Sequence, residues 1–119
     1  MTQFMNQSKN LNMNKNKAKG DKAEREAAEL LTKVTGYECK RTLAAGIPDD
    51  VGDIVGIPNC VVQVANYKDT STACLKKPRE VESQRENAGA KYAASMVRWR
   101  GGHWRVVLTV EQFNEFLKK

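Results

Sequence analysis

The sequence predicts an α/β (α+β) domain, a central mixed sheet of about five strands flanked by helices. Three observations carry that expectation. Apolar residues recur at helical spacing near both ends, at Ala23, Ala27, Leu30, Leu31 and Val34, and again at Phe113, Phe116 and Leu117. Between them lie short runs rich in β-branched residues, such as 60–67 and 92–99, bounded by Gly, Pro and Asn. With 119 residues there is room for one core, so residues 20–119 are expected to form a single domain.

Each element has its own signal. Residues 1–19 are rich in Asn, Lys and Gln, hold four lysines and no acid, and read as a flexible basic N-terminal tail. Residues 20–35 read as a helix that Gly36 ends. Placing successive residues about 100° apart puts Glu24 at the edge of its apolar stripe, with Glu26 and Glu29 on the polar side. Residues 37–43 suit a strand, and 43–52, with Gly46, Pro48 and Gly52, a loop. Residues 53–57 and 60–67 read as a hairpin turning at Pro58-Asn59. A lysine-rich connection follows over 68–77. Pro78 suits the first turn of a second helix, which runs to a Gly89 stop with Val81 and Ala88 as its apolar surface. Residues 92–99 and 104–110 are strands on either side of Arg100-Gly101-Gly102-His103. Thr109 with Gln112 fits a capping box that opens the last helix. The order is α-β-β-β-α-β-β-α.

Composition narrows the function. Twenty Lys and Arg against 14 Asp and Glu give +6, which makes a polyanion the first candidate partner. The tail carries +4 of this, leaving +2 for residues 20–119. No run approaches the ~20 apolar residues of a membrane span, and the N-terminus lacks the apolar stretch of a secretory signal. Cys39, Cys60 and Cys74 are odd in number without C-x-x-C spacing, which argues against a disulfide framework or zinc site and for reduced thiols in the cytoplasm. One histidine excludes His-rich metal chemistry, and no nucleotide-cradling glycine motif is present.

One constellation carries chemistry. Asp53 opens one strand of a hairpin and faces the next strand, V61-V62-Q63-V64-A65-N66. Along that strand Gln63 and Ala65 share one face, Val62 and Val64 the other. Glu24 can approach from the first helix. Together with G20-D21-K22-A23-E24-R25-E26, G52-D53-I54-V55-G56-I57-P58, the 80–90 segment, V97-R98-W99-R100 and the 106–110 strand, this pattern resembles the PD-(D/E)XK nuclease superfamily. Within it, the chain is most similar to phage and archaeal Holliday-junction resolvase-like endonucleases.

The resemblance implies a restriction-endonuclease-like core and a metal-dependent endodeoxyribonuclease selective for DNA structure. It implies Mg²⁺, or Mn²⁺, held by Asp53, the Gln63 position and the backbone carbonyl of Val64, with Glu24 assisting through water. The family places Glu at position 63 and Lys at position 65, the lysine orienting water or stabilising the charged phosphate transition state. This chain has Gln63 and Ala65 instead. Three readings stay open: an active nuclease with a displaced lysine, a DNA-binding relative or recombination accessory without catalysis, and a variant in which Ala65 replaced the lysine. Lys68, Lys76, Lys77 and Lys91 are the candidate replacements. E38-C39-K40 also reads E-x-K but precedes Asp53 and is treated as a decoy on an edge strand. Lys76, Lys77, Arg79, Arg98, Arg100 and Arg105 are candidate phosphate contacts, Arg98 and Arg100 sharing a strand face, and Trp99 or Trp104 could stack on a base. By the same resemblance the partner is branched DNA, a four-way junction, bound by a homodimer in the cytoplasm of the cell, the host cell if the chain is phage-encoded.

Overall fold

The computed structural model describes residues 21–42, 52–66 and 69–118. Five strands form one mixed sheet in sequential order: β1 (Lys40–Arg41), β2 (Ile54–Val55), β3 (Cys60–Ala65), β4 (Tyr92–Trp99) and β5 (His103–Val107). The helices are α1 (residues 21–35), α2 (Thr70–Ala88) and α3 (Val110–Leu117). The expected α+β class and element order hold, with a short 3₁₀ turn at Arg100–Gly102 added. β3 and β4 are parallel because α2 carries the chain back across the sheet, and every other neighbouring pair is antiparallel.

Strand alternation assigns the two faces. Ile54, Val62 and Met96 pack with Ala27 and Ala28 of α1 and with Cys39. Val61 and Ala93 pack on Val81 of α2, while Ala65 and Val97 pack on Ala73 of the same helix. The sheet is therefore covered by α1 on one face and α2 on the other. Each of these small aliphatic contacts stabilises the fold by ~25 cal/mol per Å² of apolar surface removed from water. Tyr92 stacks on Phe116, ring centroids 4.9 Å apart, and ties α3 to the sheet.

Several boundaries differ from expectation. α2 begins at Thr70 and not at Pro78. Asp69 caps it by accepting a hydrogen bond from the Thr72 amide, so Pro78 lies inside the helix, where its missing N–H is normally costly. Gly89 ends the helix in the left-handed conformation, as expected. The strands over 37–43, 53–57 and 104–110 shrink to β1, β2 and β5, and Val110 belongs to α3. The capping box is present in both directions between Thr109 and Gln112. Val34, Phe113 and Leu117 are exposed despite their apolar spacing, as is Ala88. The 1–19 tail, the 43–51 loop and Lys68 lie outside the described residues. No described helix is long and apolar enough to cross a membrane.

Candidate active site

Asp53 is fixed by its neighbours on both sides. Its amide donates to the Val62 carbonyl at 2.9 Å, and its carbonyl accepts from the Thr42 amide at 2.8 Å. Its side chain takes the Val64 amide on Oδ2 at 2.8 Å. Gly52 makes this approach possible. Its φ is +96°, and a Cβ there would stand 2.5 Å from Val61 Cγ1 and 3.2 Å from the Val62 carbonyl. Asp53 precedes β2, and its amide bond to the Val62 carbonyl is one residue out of step with the Ile54–Val62 pairing, so its side chain is brought to the Val64 amide of β3. The amide and carbonyl of one strand residue project to the same edge, so the Val64 carbonyl also points toward Asp53 and β2.

Glu24 joins Asp53 from α1. Partial burial holds its carboxyl above the ordinary range, and the Asp53 charge pushes the same way. Arg41 opposes both: its Nε lies 3.5 Å from Glu24 Oε2, an ion-pair distance without hydrogen-bond geometry, while its Nη2 donates to Asp21 at 2.9 Å. Glu24 on α1 therefore lies within electrostatic reach of Asp53 and beside the Arg41 guanidinium of β1. Sequence reasoning missed Arg41 because its closeness to Glu24 and Asp21 is purely tertiary.

Gln63 and Ala65 face α2, on the side opposite Val62. Gln63 is 7% exposed, and its Oε1 is a buried acceptor without a hydrogen-bond partner. Its Nε2 donates to Glu80 Oε2 at 3.4 Å, and Lys77 Nζ donates to that same oxygen at 3.0 Å. Glu80 was not expected, whereas Lys77 was one of the candidate replacements for the missing lysine and is the one that turns inward. Reading 68–77 as a connection hid the K-x-x-E pair that a helix places on one side. Ala65 is 2% exposed and packs on Ala73 and Val97.

The expected phosphate contacts divide over the molecule. Lys76 and Arg79 are exposed on α2, but Lys77 is not a free surface cation, its side chain being 12% exposed and paired with Glu80. Arg98 and Arg100 do not share a strand face, because β4 ends at Trp99 and Arg100 enters the turn. Arg98 and the Trp104 indole both donate to Glu26 Oε1, at 3.4 and 2.9 Å. Glu26 therefore binds across to the sheet and does not simply face solvent, and the indole bond first, then Arg98, holds its carboxyl below the ordinary range. Arg100, Arg105, His103 and Trp99 line a groove of about 520 Å³ with Asp69, Thr70 and Ser71 at the start of α2. Arg105 lies over the Trp99 ring, 5.0 Å from its centroid. Glu38 and Lys40, the E-x-K decoy, form an exposed pair on the edge strand. The three cysteines are unpaired, and burial pushes the Cys60 thiol up to about 11.

The donor set suits a hard divalent cation in kind. Two carboxylates, an unpartnered amide oxygen and a main-chain carbonyl are all oxygen donors, and Mg²⁺ commonly takes one or two carboxylates with waters. Among the described residues no group of three or more His, Cys, Asp or Glu gathers, so any such ion would depend on the amide and carbonyl oxygens. Comparison with models of known families, with curated proteins and with solved structures finds no match.

Proposed function

We propose that this chain is a metal-dependent endodeoxyribonuclease of the restriction-endonuclease-like kind, acting on branched DNA with the four-way junction as substrate. One observation carries the reading: Asp53, just before β2, is clasped by the Val64 amide within the electrostatic reach of Glu24 on α1. Two acids raise each other's cost of ionisation unless a cation joins them, and Arg41 offsets only part of that cost. Asp53, the Gln63 Oε1 and the Val64 carbonyl would hold Mg²⁺ or Mn²⁺. A bound ion supplies Lewis-acid polarisation of a phosphate oxygen. Asp53 then positions the donor set, and Glu24 is placed to accept a proton from water. Arg100 and Arg105 supply phosphate contacts on the α2 side of the sheet. Cutting two opposed strands calls for two sites, so the working form is a homodimer, and reduced cysteines fit the cytoplasm.

A second reading, a DNA-binding module without catalysis, is favoured by the uncharged Gln63 and the buried Ala65. Titration calorimetry separates the two. Mn²⁺ binding that disappears in Asp53→Asn, with junction affinity retained, supports the nuclease. Junction binding indifferent to both metal and this substitution supports the plain binder.

A further inference from the structure

We infer that helix α2 supplies the cation that β3 lacks, with Lys77 as the ammonium facing the scissile phosphate; this rests on the nuclease reading above. Ala65 meets α2 at Ala73, and Lys77 stands four residues beyond Ala73, on the same side of the helix. Its side chain is 12% exposed, unusual for a lysine, whereas Lys76 and Lys91 are exposed. Nζ lies 3.0 Å from Glu80 Oε2, the oxygen that Gln63 Nε2 also approaches at 3.4 Å. The ammonium is therefore one carboxylate oxygen away from Gln63, the residue next to the Val64 amide that holds Asp53. Gln63 adds the independent sign of a missing ligand, a buried Oε1 with no partner.

These groups make a polar strip between two apolar contacts of the same helix, Val61 with Val81 and Ala65 with Ala73. A buried, unpartnered amide oxygen costs about 1–3 kcal/mol. A functional demand at the strip explains why an apolar residue does not replace it. In the reaction, a water oxygen forms the new bond to phosphorus as the bond from phosphorus to the sugar oxygen breaks. The proton lost by the water is matched by one that solvent returns to the leaving oxygen. Lys77 stabilises the negative charge that builds on the phosphoryl oxygens, the role of a fixed cation in such a step.

The test is Lys77→Met, which keeps the buried stem and removes the charge, beside Lys77→Arg and the exposed-site control Lys33→Met. Single-turnover cleavage of a four-way junction in Mg²⁺ is measured with junction affinity in Ca²⁺ and thermal melting. The expected result is a roughly 10²–10³-fold slower cut by Lys77→Met, affinity within about twofold of the parent as befits a transition-state interaction, partial recovery in Lys77→Arg, and no change in Lys33→Met. Parent-like cutting by Lys77→Met overturns the assignment and leaves the nuclease reading intact. An affinity loss as large as the rate loss makes Lys77 a binding contact and also overturns it. Should Lys77→Met unfold, the Arg variant decides: a folded Lys77→Arg that cuts more slowly than the parent at unchanged junction affinity supports the placement, and one that cuts as fast as the parent overturns it. A parent chain that binds junctions in Mg²⁺ and never cuts them defeats the nuclease reading, and this inference with it.

Discussion

Replacing Ala65 by Lys would install the lysine that PD-(D/E)XK nucleases carry at the resembling position, yet the fold predicts damage. Ala65 is 2% exposed, and the neighbours that enclose it, Ala73 and Val97, are fully buried. Three added carbons and the ammonium nitrogen must push against α2 at Ala73. Overpacking of this kind costs about 1–3 kcal/mol. The ammonium adds a desolvation cost, which the protein lowers by depressing the lysine's pKa or by bending the stem toward Glu80. A combined loss of about 3 kcal/mol is expected. With an m-value of about 2 kcal/mol/M, the urea midpoint falls by about 1.5 M. Ala65→Met, matched in bulk but uncharged, separates the packing share. A lysine with a depressed folded-state pKa makes the penalty largest below that folded value, and the penalty shrinks as pH rises from there toward the unfolded value near 10.4. A midpoint within about 0.3 M of the parent, with faster cutting, would refute the argument and mark position 65 as open to the site.

Four further outcomes are expected. Gly52→Ala should lose about 2 kcal/mol or more in a urea melt, because φ +96° and the 2.5 Å approach to Val61 leave no room for a Cβ; a neutral result would show that the Asp53 turn is not held this tightly. Gln112→Leu should cost about 2–4 kcal/mol by the same measurement, since the buried amide donates to the Pro78 carbonyl at 2.7 Å and to Glu82 at 2.8 Å while completing the α3 cap. Glu26→Gln should cost about 1 kcal/mol at neutral pH, discounted for exposure. Because the folded pKa of Glu26 is lowered, its contribution is present above the ordinary carboxylate range and lost as pH falls through the folded value, so parent and variant melts should converge in acid. Arg100→Ala with Arg105→Ala should weaken junction binding and flatten its log–log salt slope by about 2; an unchanged slope removes the groove from the DNA contact.

Much of the fold was legible because it is written in local periodicity. β4 spans Tyr92–Trp99 as read, and the Gly89 stop and the Thr109–Gln112 box depend on backbone chemistry within a few residues. The start of α2 was misplaced because Pro78 is a strong helix-start signal, while Asp69 with Thr72 is a quieter one that tertiary packing of Ala73 reinforces. At the site, alternation along β3 correctly put Gln63 and Ala65 on one face. What lay across from that face could not be read. Arg41 reaches Glu24 between α1 and β1, and Lys77 with Glu80 meets Gln63 between α2 and β3. Such approaches depend on how layers stack, and no spacing within one segment encodes them.

The central claim is that the Glu24–Asp53 pair serves metal-dependent strand cutting. Its most direct test is single-turnover cleavage of a four-way junction with and without Mg²⁺, comparing the parent chain and Asp53→Asn at equal junction occupancy. The account predicts paired nicks across the junction in the parent with Mg²⁺, none without it, and loss of at least about 10²-fold in Asp53→Asn with binding intact. A saturated junction that stays uncut in Mg²⁺ or Mn²⁺, or one that Asp53→Asn cuts as fast as the parent, would contradict it.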